Sequence, residues 1–325
     1  MNPMNFYEEQ DNRIKHIEAI IKSYLPKEEG PQKRVFEAMN YSILAGGKRL
    51  RPMLMLETFR LFEGRDERLV EPFMAAIEMI HTYSLVHDDL PAMDDDEYRR
   101  GRKTTHVVFG EAMGILAGDG LLNYAFETVT ASLTRLSGED LIRGAKALCI
   151  LSEKAGIYGM IGGQVIDMEG FGLKLEQDTD FDALGNGMGL TKSQNSHKNI
   201  QERLNYMYKL KTGALMEASM MIGAVLAGAG EADICTLEGI ASDIGLAFQV
   251  QDDILDVTST TEIIGKPVHS DEKNHKITYV GLLGIERARE EVVSLSAKGI
   301  SALESLNKSN DFLKVLIRKL ISREK

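Results

Sequence analysis

Apolar residues recur at helical spacing through almost the whole of this chain. Between Val70 and His87, Phe73, Ala76, Ile77 and Ile80 fall at i, i+3, i+4 and i+7, and Tyr83 and Ser84 continue the face. The same periodicity predicts helices over about 10–25, 31–45, 50–62, 111–135, 139–153, 205–229, 233–255 and 278–295, with a last helical stretch over about 297–323. The 325 residues hold 7 prolines, so little stops a helix, and 16 methionines supply flexible side chains for helical cores. No set of alternating strand patterns with hairpin turns stands out, and no repeat of a solenoid's period. The expected fold class is all-α, one domain over residues 1–325. Gly172 to Lys198 breaks the pattern with glycines, asparagines and hydroxyl residues, and reads as a polar loop insertion at about 172–200, with a short helix near Phe181–Leu184.

The net charge of −11 speaks against a general nucleic-acid binder. Cys149 and Cys235 lack metal-ligand spacing and are too few for a disulfide framework, which fits a reducing cytoplasm. Met1 to Gln10 has no secretory pattern, and the longest apolar run, Ala218 to Gly230, is too short to span a bilayer, so no integral membrane association is expected.

The sharpest chemical signal is His87-Asp88-Asp89-Leu90-Pro91-Ala92-Met93-Asp94-Asp95-Asp96. Five aspartates so close together repel one another unless cations balance them. A second cluster, Gln251-Asp252-Asp253-Ile254-Leu255-Asp256, sets Asp252 and Asp256 at i and i+4 on one helix face. Asp88 and Asp94 are out of helical register, and Pro91 is the residue that can bend the chain to bring them together. Oxygen-only ligands favour Mg²⁺, which commonly bridges carboxylates to substrate phosphates. Basic blocks alternate with these acidic ones: Gly46-Gly47-Lys48-Arg49-Leu50-Arg51-Pro52, Arg99-Arg100-Gly101, Lys211-Thr212-Gly213, and Gly265-Lys266-Pro267 followed by Lys273 and Lys276. The glycines let backbone approach an anion, and Lys48 and Arg51 can converge on it. Adjacent Arg99 and Arg100 point apart and can serve two anions. His81 lies two turns before Asp88 on the same face, placed for a phosphate contact.

Taken together, GGKRLRP (46–52), DDLPAMD (88–94) with RRG (99–101), GGQVID (162–167), KTG (211–213) and FQVQDDILD (248–256) span about residues 35–285. In this order they resemble the trans-prenyl diphosphate synthases, most closely the bacterial farnesyl diphosphate synthases. The resemblance implies a helical bundle around a deep central cavity, usually a homodimer. It implies three Mg²⁺ held chiefly by Asp88, Asp94 and Asp252, with Asp89, Asp253 and Asp256 in support. The allylic diphosphate would meet Arg99, Lys211, Thr212, Gln249 and Lys266, with Lys276 nearby. Isopentenyl diphosphate would meet Gly47, Lys48, Arg51, His81 and Arg100. Gln164, Thr212 and the carbonyl of Lys211 would face the carbocation left by ionisation. Tyr83, five residues before Asp88, would end the growing chain near C15 beside the small Ser84.

Two departures from the family stand out: a longer segment between Asp167 and Lys211, and Lys103 where proline is usual. The rival readings are a C20-forming synthase, a terpene cyclase, a non-catalytic binding subunit, and a di-iron bundle built on Glu78-x-x-His81 and Glu272-x-x-His275. DDILD and GGKRLRP speak against the cyclase, and the two intact aspartate motifs against the subunit.

Overall fold

The computed structural model describes residues 3–169, 192–258 and 277–321, with side chains from Phe6, from Asn199 after the first gap, and as far as Leu320. In chain order the helices are α1 (Pro3–Ser23), α2 (Lys33–Ile43), α3 (Leu50–Leu61), α4 (Glu71–Asp88), α5 (Thr105–Phe109), α6 (Glu111–Leu133), α7 (Gly138–Ala155) and α8 (Met160–Glu169). They continue as α9 (Lys192–Tyr208), α10 (Ala214–Ala227), α11 (Glu231–Thr258), α12 (Tyr279–Leu283), α13 (Ile285–Ser305) and α14 (Asp311–Ile321). A π-helical turn, Lys209–Gly213, joins α9 to α10. One short hairpin, β1 (Tyr98–Arg99) and β2 (Arg102–Lys103), pairs Tyr98 with Lys103 and Arg99 with Arg102. The expected all-α class holds.

Helices α4 and α10 are apolar on nearly every side, and a helix of that kind must be surrounded. In α10 every residue but Met221 and Ala227 is buried, and it packs against α3, α7 and α11. Helix α4 lies against α6, α3 and α1, and buries Phe73, Met74, Ile77 and Ile80. The crossing of α10 over α3 is close because Gly223 lacks a Cβ: one placed there would overlap the carbonyl oxygen of Met55. The run Asn199–Ala227 is long and apolar enough to cross a membrane, but 72% of its apolar window is buried inside the protein, as for a core helix.

A buried carboxylate joins the two ends of the chain. Glu57 on α3, 1% exposed, accepts from Arg13 Nε on α1 at 2.8 Å, Arg60 Nη1 at 2.8 Å and Asn310 Nδ2 at 2.8 Å. Three donors compensate the desolvation of this charge.

Several sequence expectations change. The predicted helix at 278–295 breaks at Gly284 into α12 and α13. The stretch 297–323 is two helices, because Asn307 turns left-handed (φ 52) and Asn310 restarts the chain by accepting from Leu313 N at 2.9 Å. Residues 192–200, read as loop, lie in α9, whose polar sequence masked its periodicity; α8 was not among the predicted helices. The rest of the expected insertion, including Phe181–Leu184, lies outside the described residues.

Gly223→Ala should destabilise the protein by about 1–3 kcal/mol through overpacking against backbone. A thermal melt tests this, and an unchanged melting temperature would mean that α3 and α10 separate without cost.

Candidate active site

The first aspartate cluster is built by the end of α4. The helix stops at Asp88, and Pro91 takes the second position of a turn closed by Met93 N to Leu90 O at 2.9 Å. The chain then folds back, so that Asp94 N donates to Asp88 O at 2.8 Å and Asp96 N to Asp89 O at 3.2 Å. Asp88 and Asp94 are thus brought together at the backbone, as the Pro91 bend predicted.

The β1–β2 hairpin turns at Arg100 (φ 53) and Gly101 (φ 73), the left-handed pair that a two-residue turn requires. This turn makes the two arginines diverge. Arg99 Nε donates to Asp89 Oδ1 at 2.6 Å, and its Nη2 pairs with Asp96 at 3.3 Å. Burial pushes the Asp89 carboxyl up to about 6, and Arg99 opposes that rise. Arg100 points the other way and donates to the carbonyl of Gly46. Gly47 (φ 142) lies so close to its guanidinium that a side chain there would collide with it.

Arg51 and His81 lie beside Arg100. Burial lowers the Arg51 guanidinium to about 10; Glu78 opposes the shift and Arg100 adds to it. His81 is held well below its ordinary pKa, first by burial and then by Arg51, Arg100, Arg99 and Arg49, so it is neutral at pH 7. A buried negative charge among these cations is Glu78, 2% exposed, which accepts from Arg49 Nη1 at 2.7 Å; Glu18 adds a second partner to Arg49 at 3.5 Å. Arg49 Nη2 donates in turn to Ile43 O at 2.8 Å. Lys48 lies on the exposed side of the same loop.

A cavity of about 620 Å³ opens between α4, α6, α8 and the π-helical turn. Arg51, His81, Asp88, Gln164, Lys211 and Thr212 line it, and so do apolar Leu122, Met160, Ile161, Val165 and Met168. Tyr83 and Ser84 also face it. Tyr83 is buried, and its phenol is pushed up to about 12 by burial and then by Asp88, so it stays neutral. Its ring stands edge-on to His87 at 5.8 Å, and His87 Nε2 lies 3.1 Å from Ile115 O on α6. The Ser84 hydroxyl is turned back onto His81 O at 2.9 Å.

Three side-chain bonds lead across this site. Gln164 Nε2 donates to Asp88 Oδ1 at 2.6 Å, Lys211 Nζ to Asp167 Oδ2 at 2.7 Å, and Thr212 Oγ1 to Gln249 Oε1 at 2.9 Å. The π-helical turn presents Lys211 and Thr212, and such turns recur at functional sites. From Gln249, one helical turn of α11 reaches Asp252 and Asp253. Asp253 is buried and accepts from Tyr208 Oη at 2.7 Å and Tyr279 N at 2.9 Å. Asp256 is buried, and its Oδ1 has no hydrogen-bond partner among the described residues. Lys266 and Lys276 lie outside the described residues.

The structure therefore gathers His81, Tyr83, Ser84, Asp88, Gln164, Arg51, Lys211 and Thr212 around one cavity. Arg100, which stands against Gly47, acts electrostatically on the cavity-lining His81 and Arg51, and Gln249 is bonded to Thr212 from the helix of the second cluster. The sequence reading gave no role to Arg49 or Asp167, and Glu78 entered it only through the di-iron rival. Asp167 had a signal, since it lies one turn beyond Gln164 on the same helix. Among the described residues no three His, Cys, Asp or Glu side chains are arranged to hold a metal alone. The Glu78 bond to Arg49 also removes the Glu78–His81 di-iron reading. Aspartates beside a cavity do suit Mg²⁺, which keeps waters and takes one or two carboxylates with substrate phosphates.

Residues 32–311 match the polyprenyl synthetase family. The chain is 43% identical over 278 residues to a farnesyl diphosphate synthase of Geobacillus stearothermophilus, covering 85% of this chain and 84% of the relative. It is 39% identical over 295 residues to a geranylgeranyl diphosphate synthase of Cyanophora paradoxa, covering 87% and 89%. The crystal structure of a Helicobacter pylori geranyltransferase complexed with magnesium and isoprenyl diphosphate superposes with a TM-score of 0.76 at 30% identity, covering 99% of this chain and 97% of that one. The fold and the site define a helical prenyltransferase. The chain belongs to the polyprenyl synthetase family, whose chemistry is magnesium-dependent.

The neutral His81 carries a linkage prediction. Its folded pKa is lowered, so as pH falls below about 6.5 the unfolded chain takes up the proton first and the fold loses stability. The loss from this residue should reach about 1.4 kcal/mol per pH unit. His81→Gln should flatten that slope in denaturant melts between pH 5 and 7; equal slopes would mean that His81 is charged in the fold.

Proposed function

We propose that this prenyltransferase condenses isopentenyl diphosphate with dimethylallyl and then geranyl diphosphate, head to tail, and releases the C15 diphosphate. The observation that carries this is one cavity with cations and Asp88 along one part of its wall and apolar side chains along the rest. Asp88, Asp94 and Asp252 would hold Mg²⁺, three ions with substrate bound, and Asp89 and Asp256 would support them. Bound there, the metal supplies positive charge to a leaving diphosphate.

The chain's own residues do the rest. Arg99, Lys211, Thr212 and Gln249, with Lys266 and Lys276, orient the allylic diphosphate. Arg51, Arg100, Lys48 and the Gly47 backbone hold the isopentenyl diphosphate. Neutral His81 offers it a hydrogen bond without competing for a proton. Allylic C–O cleavage leaves a carbocation, towards which Gln164, the Thr212 hydroxyl and the Lys211 carbonyl turn negative ends of their dipoles, and such preorganisation needs no reorientation during reaction. The isopentenyl double bond attacks the cation, and the released diphosphate takes the proton. The apolar wall excludes the water that would otherwise capture the cation.

Tyr83 sets the product length. It lies five residues below Asp88 on α4, about 7–8 Å deeper, and its neutral ring is braced by His87. We also propose a homodimer, since α5, α6 and α7 leave Val108, Ile115, Leu116 and Ile142 exposed, more than a lone surface usually carries on adjacent helices. The exposed, unpaired Cys149 and Cys235 fit a cytoplasmic setting.

The test is incubation with both C5 diphosphates and Mg²⁺, followed by mass spectrometry of the products. A dominant C15 diphosphate is expected; a C20 product would favour the geranylgeranyl reading, and no condensation would overturn the proposal. Tyr83→Ala should shift the product to C20 or longer, and unchanged C15 would remove Tyr83 from the floor. Asp88→Asn should lower kcat by at least about a hundredfold, the scale of losing one preorganised charge contact, measured at saturating Mg²⁺.

A further inference from the structure

We infer that Asp253, despite its place in DDILD, acts as a positioning residue that locks the second aspartate cluster to the Lys211–Thr212 turn through Tyr208. Oδ2 of Asp253 accepts two hydrogen bonds, from Tyr208 Oη at 2.7 Å and from the backbone of Tyr279 at 2.9 Å. Asp253 is 2% exposed. The two tyrosine rings stack at 6.2 Å and 23°, and Tyr279 Oη is bonded to Asn205 on α9. A buried carboxylate that accepts two bonds on one oxygen is fixed in direction and has already met its desolvation cost.

Its position in the chain gives this lock a use. Tyr208 is the last residue of α9, and the next five form the π-helical turn that presents Lys211 and Thr212. Asp253 directly follows Asp252. The Tyr208–Asp253 bond therefore ties the cationic side of the allylic site, on the turn, to its metal side, on α11. The Thr212–Gln249 bond, one helical turn away on α11, is the second tie between the same two elements. A π-helical turn bonds i to i+5 and so interrupts the i-to-i+4 ladder between α9 and α10, and side-chain ties of this kind help set where Lys211 stands relative to Asp252.

This inference rests on the proposed assignment of Asp252 to metal and of Lys211 and Thr212 to the allylic diphosphate. The test is calorimetric binding of a sulfur-bridged geranyl diphosphate analogue that cannot ionise, with Mg²⁺, beside binding of isopentenyl diphosphate. Tyr208→Phe removes only the hydroxyl. It should weaken the analogue about tenfold, leave isopentenyl diphosphate affinity within twofold, and raise the Mg²⁺ concentration needed for analogue binding. Asp253→Asn, which keeps an acceptor oxygen, should weaken the analogue in the same selective way. If Tyr208→Phe binds as wild type does while Asp253→Asn loses Mg²⁺-dependent binding, Asp253 is itself a metal ligand and the inference fails. Equal weakening of both ligands with a lower melting temperature would reduce the contact to plain stability and also overturn it. Failure of the wild type to bind the analogue would instead refute the assignment of the site, and this inference with it.

Discussion

The buried contact between Glu78 and Arg49 is the interaction on which the cationic half of the site depends. Arg49, Arg51, Arg99 and Arg100 all act on His81, and like charges so placed push apart unless something offsets them. Glu78 does so from inside α4, one turn from His81, with its acceptor bond to Arg49 and its field on Arg51 and Arg100. Breaking such a pair leaves an uncompensated buried charge, which costs about 3–5 kcal/mol. Arg49 is therefore a brace: it connects Glu78 to the end of α2 through Ile43 O, and so fixes the loop that carries Gly47 and Lys48.

The same helix serves both halves of the site. Because α4 is wrapped by α1, α3 and α6, its register is set by packing along most of its length. Glu78, His81, Tyr83, Ser84 and Asp88 therefore hold fixed heights on one rigid rod. Glu78, the cavity-lining His81 and Tyr83, and Asp88 follow one another at 1.5 Å per residue. A loop could carry the same residues but could not keep their spacing, and the proposed control of product length by Tyr83 depends on that spacing.

Much of this was legible beforehand, and for physical reasons. The 3.6-residue period reports burial on one face, so the strongly periodic α4 and α11 were read to within two or three residues at each end. The aspartate clusters stood out because their mutual repulsion has no ordinary explanation. What was missed depended on partners far apart in sequence. Nothing near Glu78 in the sequence points to its partner Arg49, twenty-nine residues earlier. The short hairpin at 98–103 was invisible because its two-residue strands show no alternation. Helix α9 was hidden by its polarity, and the break before α14 rests on Asn307 and Asn310, whose capping shows only in geometry.

The π-helical turn shows why the Lys-Thr-Gly motif needs its neighbours. Gly163 on α8 lies against the backbone of Leu210 and Lys211, closer than a side chain would allow. Gly245 on α11 lets the Gly213 backbone approach within 3.0 Å of where a Cβ would sit. The turn is thus gripped between two helices whose glycines admit its wider backbone, and Asp167 fixes the Lys211 side chain that it presents to the cavity. Lys211 in this state is ion-paired rather than waiting in solvent. In the proposed reaction a diphosphate entering the site would take the ammonium from Asp167, exchanging one charge partner for another. The ion pair thus holds the Lys211 ammonium in place before any anion arrives, where the proposed reaction would put the developing charge of a leaving diphosphate.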